Sequence, residues 1–73
     1  MPDKHPEDPT PLDSLPRGIG RPATDAFAVA GYTSLEQLSR ARERDLARLH
    51  GVGPKALRII KAELDRHGLS FSG

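Results

Sequence analysis

The groups best suited to hold an anion are concentrated in one stretch, Leu49-His50-Gly51-Val52-Gly53-Pro54-Lys55-Ala56-Leu57-Arg58-Ile59-Ile60. A Gly-x-Gly turn here runs straight into the first turn of a basic amphipathic helix. Two glycines let the backbone bend tightly and approach a second surface with no Cβ in the way. Pro54 suits the first helical position, where the N–H it lacks would be unpaired anyway. The remaining free amides of that helix start, with the dipole behind them, favour a negative group. Lys55 and Arg58 add cations at the same spot. Phosphate fits this combination.

A related stretch lies 33 residues earlier, where Arg17-Gly18-Ile19-Gly20-Arg21-Pro22-Ala23 matches His50-Gly51-Val52-Gly53-Pro54-Lys55-Ala56. The same offset pairs Ala26 with Ile59 and Phe27 with Ile60. Each copy reads as a Gly-x-Gly hairpin followed by an amphipathic helix. Neither copy can bury its apolar face alone, so the two are expected to pack as a pseudo-symmetric pair. In the first copy Arg17 and Arg21 attract a phosphate. Asp25, placed in the first turn of its helix, favours the dipole and opposes the phosphate.

Glycine and proline punctuate the elements that must hold these turns. A first helix is expected from Pro22 or Ala23 to Ala30, with Gly31 as its left-handed C-terminal residue. Thr33-Ser34-Leu35-Glu36 has the capping-box pattern and opens a second helix that runs to about Arg40. A third covers roughly Glu43 to Leu49, burying Leu46 and Leu49. The fourth runs from Pro54 to His67 and stops at Gly68. On it Ala56, Leu57, Ile60 and Leu64 share one arc, Lys55, Arg58, Lys61 and Arg66 the opposite one, and Glu63 borders the apolar arc. No alternating β-branched run signals a strand. The expected fold is all-α, a compact bundle of four to five short helices built from two pseudo-symmetric hairpin units.

The chain has 73 residues and a net charge of +1, which hides an uneven distribution. Residues 1–14 hold Lys4 against Asp3, Glu7, Asp8 and Asp13, together with Pro2, Pro6, Pro9 and Pro11. This acidic, Pro-rich segment cannot bury enough surface to offset its ordering entropy and reads as a disordered leader. Residues 15–73 carry ten Lys or Arg against six Asp or Glu and form the domain. Its basic excess suits a polyanionic partner. The run from Arg40 to Asp45, with Arg48, interleaves both signs and reads as a solvated, locally paired surface. No apolar run is long enough to span a bilayer, so a cytoplasmic monomer is the expectation.

Other chemistries find few residues to carry them. There is no cysteine, hence no disulfide framework or thiolate metal site. His5, His50 and His67 lack ligand spacing, and no metal or other cofactor is expected. No nucleophile–base pair or carboxylate cluster is evident, and a domain this small has little room for a sizeable pocket. The chain is expected not to be an enzyme.

The Gly51-Val52-Gly53-Pro54-Lys55-Ala56 motif, with Leu49 before it and Ile59-Ile60 after it, resembles the tandem helix-hairpin-helix family. Ala30-Gly31-Tyr32-Thr33-Ser34-Leu35-Glu36-Gln37-Leu38 is similar to the stretch that joins two such hairpins. Within that family the strongest likeness is to the C-terminal domain of the bacterial RNA polymerase alpha subunit, whose last helix and tail resemble Ile60 to Phe71. The resemblance covers residues 15–71. It implies sequence-tolerant binding of the DNA backbone, across the minor groove, with hairpin amides on phosphate. The implied DNA-binding set is Gly51, Val52, Gly53, Lys55 and Arg58 in the second hairpin, with Gly18, Gly20 and Arg21 in the first. A bacterial transcription or repair setting follows from the same likeness. The rival expectation is a protein-interaction module, with RNA polymerase or a transcription factor as partner and the hairpins purely structural. RNA binding through the same amides stays open, because backbone contacts barely separate the two nucleic acids unless a 2′-hydroxyl is read.

Overall fold

Prolines and glycines set the helix limits. The computed structural model describes residues 10–72, in which α1 spans Arg21–Ala30, α2 Leu35–Ser39, α3 Glu43–Ala47 and α4 Pro54–Arg66. Both long helices carry proline in the first turn. Gly31 closes α1 in the left-handed region, its amide donating to Ala28 O while the Tyr32 amide donates to Phe27 O at 2.7 Å. This is the paired 5→2 and 6→1 arrangement that satisfies terminal carbonyls. Among the described residues there is no strand, only an isolated parallel bridge between Arg42 and Ser72.

All four helices differ from the sequence expectation at a boundary, α4 least, ending at Arg66 and not His67. α1 begins at Arg21, a residue or two early, so its first turn holds no acidic residue and Asp25 lies beyond it. The cap of α2 sits one residue later than Thr33–Glu36: Ser34 Oγ accepts from the Gln37 amide at 3.2 Å, and Gln37 Oε1 accepts from Thr33 N. Glu36 turns outward to Arg40 instead, at 3.3 Å. α3 stops at Ala47, leaving Leu49 half-buried after it.

One apolar core joins all four helices and both hairpins. Ile19, Ala23 and Phe27 enter it from the first copy of the repeat, and Val52, Ala56 and Ile60 from the second. These positions are paired by the 33-residue offset, so the repeat in sequence is a repeat in burial; Ala26 and Ile59, paired by the same offset and expected in the core, are only partly buried against it. Leu35, Leu38, Ala41, Leu46, Leu57 and Leu64 complete the core. Every fully apolar arc position of α4 is buried.

Thr10 to Ser14, on the leader side of the expected boundary, are hydrogen-bonded to the domain. The carbonyls of Ser14 and Leu12 accept from the amides of Leu35 (2.9 Å) and Glu36 (3.1 Å). With Ser34 taking Gln37 N, the first three amides of α2 all have acceptors. Thr10 N donates to Glu63 Oε1 at 2.9 Å, and Thr10 O meets His67 Nε2 at 2.5 Å. Glu63, the misfit of the α4 wheel, thus binds backbone. Residues 1–9 of the expected leader lie outside the described range.

Candidate nucleic-acid interface

The second hairpin is shaped by two glycines with different duties. Gly51 has φ +98°, and a Cβ there would lie 2.8 Å from the Pro22 carbonyl oxygen. Both facts demand glycine, the first because L side chains rarely adopt that φ. The close approach also sets the second hairpin directly against the start of α1. Gly53 has ordinary extended geometry (φ −112°, ψ 177°), and a Cβ there would meet nothing within 4 Å. The backbone does not require glycine at Gly53. What glycine leaves is open space in front of the α4 start.

That start is unsatisfied. Leu57 N is the first α4 amide with a partner, donating to Gly53 O at 3.2 Å. Pro54 has no N–H, and Gly53 has no side chain to cap the next two amides. Among the described residues the amides of Lys55 and Ala56 have no acceptor, in contrast to the fully capped α2. Lys55 and Arg58 stand exposed beside them and join no ion pair among the described residues. Two free N–H groups, the positive end of a helix dipole and two cations make an anion-binding arrangement.

In Val52 the side chain is buried and the amide donates to Leu49 O at 3.1 Å. The apolar pair Ile19 and Val52 anchors the two turns. Ala56, absent from the expected set, enters through its main-chain amide. Its alanine identity carries no signal for that role; its place three residues after the cap does.

The first hairpin is less available. Gly18 and Gly20 both have positive φ, +87° and +91°, so they shape the turn. Arg21 forms an ion pair with Asp25 at 3.6 Å across one helical turn, and both side chains are largely exposed. Asp25 therefore acts by occupying Arg21. Because Gly51 abuts Pro22, the two helix starts nevertheless lie side by side, with Arg17, Arg21, Lys55 and Arg58 exposed around them.

The stretch from Arg40 to Arg48 is solvated but mostly unpaired. Arg40 bonds Glu36, whereas Arg42, Glu43, Arg44, Asp45 and Arg48 form no ion pair among the described residues. Opposite charges at adjacent positions point to different sides of a helix and do not meet. Beside the second hairpin, Pro22, Asp25, Ala26, Val29, Leu49 and His50 line a shallow, mostly apolar groove of about 450 Å³, and Val29 is 90% exposed. Among the described residues no group of three His, Asp or Glu side chains is placed to hold a metal, and no helix is long and apolar enough to cross a membrane.

Over 38 residues, 52% of its length, the chain is 45% identical to the ATP-dependent DNA helicase Hel308 of Caldivirga maquilingensis. The match spans 5% of that much longer protein. No family model matches the chain, and no solved structure does. What stands is an all-α domain with a partial likeness to a DNA helicase.

Proposed function

We propose that the chain is a non-enzymatic DNA-binding module of the helix-hairpin-helix type, holding the phosphate backbone with little regard for base sequence. The observation that carries this reading is the pair of unpaired amides at Lys55 and Ala56, opened by Gly53 and flanked by the exposed side chains of Lys55 and Arg58. The partial likeness to a DNA helicase supports it. Gly51, Arg17 and Arg21 add surface beside that contact, approached from the minor-groove side. On this reading the module works in the cytoplasm as a monomer. The likeness to the polymerase alpha domain makes transcription one setting, and repair is another.

Titration of isotope-labelled protein with short duplexes of unrelated sequence tests the proposal. The amides of Lys55 and Ala56 should shift most, and equally for each sequence. If ~3 phosphates are neutralised, log affinity should fall with log salt at a slope of about −2.7. Lys55→Glu should weaken binding to every sequence alike. Unmoved Lys55 and Ala56 amides at saturating duplex would refute the reading.

The apolar groove beside the hairpin, with Val29 open to solvent, favours one second reading, a contact with another protein. Val29→Ser separates the two: it should leave duplex affinity within twofold, and it weakens assembly if a protein docks there.

A further inference from the structure

Three cations on α4 run in a row away from the second hairpin. Lys55, Arg58 and Lys61 are exposed at successive i, i+3 positions, which are surface neighbours about 5–6 Å apart at Cβ. The row ends at an open cleft of about 460 Å³ between the start of α3 and the C-terminal segment. Arg42, Arg44 and Lys61 line it with one carboxylate, Glu43, and the hydroxyls of Ser70 and Ser72. The wall is fixed, since Ser72 N donates to Ala41 O at 2.9 Å and Arg42 pairs with Ser72 in the parallel bridge. Phe71, between the two serines, packs on the core.

The charge in this cleft has no ion-pair partner among the described residues: Arg42, Arg44 and Lys61 join none, although Glu43 is adjacent in sequence. Guanidinium groups and hydroxyls together match the oxygens of a phosphate. From Lys55 to Lys61 the helix rises ~9 Å, enough to reach from one backbone phosphate to the next along a strand. We infer that this cleft holds a second backbone phosphate of the DNA bound at the hairpin, so that the strand tracks along α4. The inference rests on the proposed DNA binding and extends its footprint to residues 42–44 and 70–72.

The test titrates labelled protein with a 12-base-pair duplex (about one helical turn) and follows both regions. Amides of residues 42–44 and 70–72 should shift in step with those of Lys55 and Ala56. In the double variant Arg44→Gln with Lys61→Gln the cleft shifts should vanish while the hairpin shifts remain. Loss of that one phosphate contact should make the salt slope shallower by about 0.9. Hairpin shifts with a silent cleft and an unchanged slope would overturn the inference and leave the hairpin reading standing. Silence in both regions would remove both. Inorganic phosphate at equal phosphate concentration should move the cleft amides far less than duplex does; equal shifts would make it a free-anion site and overturn the inference.

Discussion

Replacing Gly53 with serine should raise stability and lower DNA affinity in one step. Gly53 is the N-cap of α4 and already has the extended backbone of a capping residue, with free space where a Cβ would go. The equivalent position of α2 is Ser34, whose Oγ accepts from the amide three residues on. A serine at position 53 would do the same to Ala56 N. Gaining a serine cap in place of glycine is worth a few tenths of a kcal/mol. Restricting the unfolded chain adds about 0.4–1 kcal/mol, as measured for glycine replacements at compatible sites. A total near 1 kcal/mol corresponds to a Tm rise of about 4–8 °C in a domain of this size. The same hydroxyl occupies the amide that the proposed function assigns to phosphate. Loss of one hydrogen bond to a charged group, about 1.5–3 kcal/mol, lowers duplex affinity roughly ten- to hundredfold. Thermal unfolding by circular dichroism and duplex titration by fluorescence anisotropy read the two effects separately. A raised Tm with unchanged affinity would show that the amides are not the phosphate ligand. A lowered Tm would show that position 53 does not cap the helix.

Three further substitutions probe the rest of the arrangement. Gly51→Ala forces φ +98° on an L side chain and drives a Cβ to 2.8 Å from the Pro22 carbonyl; strain and overpacking together should cost about 2–5 kcal/mol in urea unfolding, and a loss below 1 kcal/mol would contradict the packing described. Asp25→Asn releases Arg21 from its exposed ion pair; duplex affinity at low salt should rise about two- to fivefold, and no gain would mean that Arg21 stays clear of the DNA. Ser34→Ala removes the acceptor for Gln37 N and should lower stability by ~1 kcal/mol with duplex affinity unchanged; a parallel loss of affinity would tie α2 to the interface.

Much of the fold was legible because its signals are local. Prolines at helix starts, Gly31 at a helix end and the 3.6-residue periodicity of α4 each act within one or two turns. The 33-residue repeat carried information of longer range, correctly pairing Ile19 with Val52, Ala23 with Ala56 and Phe27 with Ile60 in the core. Local rules failed where two registers were equally good. Thr33–Glu36 and Ser34–Gln37 both fit a capping pattern, and the chain uses the second, with Leu12 and Ser14 carbonyls covering the amides of Leu35 and Glu36. They also failed for contacts between distant segments. The bonds from Thr10 to Glu63 and His67 cross 53 and 57 residues. The cleft at Arg42 depends on a tail thirty residues later. No periodicity announces such pairings.

The repeat is symmetric in its core and asymmetric in its polar groups, and the asymmetry bears on function. Ile19 and Val52 perform the same burial, and Gly18 and Gly51 share a positive φ. The copies then diverge. Gly20 keeps φ +91° where Gly53 is extended at −112°. Arg21 is paired with Asp25, and the Pro22 carbonyl lies where a Cβ on Gly51 would need to go. The amides of Ala23 and Ala56 alike have no acceptor among the described residues, so the difference lies in the cations, with Lys55 and Arg58 in no ion pair there. A ligand that engaged both hairpins would first have to displace Asp25 from Arg21, an exposed pair worth about 0–1 kcal/mol. That barrier is small enough for a polyanion to overcome once the second hairpin has seated it. Binding should therefore be ordered, with the second hairpin saturating first and the first joining only on duplexes long enough to reach Arg21. Chemical-shift titrations with duplexes of increasing length would show Arg21 shifting together with Lys55 from the shortest duplex onward if that order were wrong.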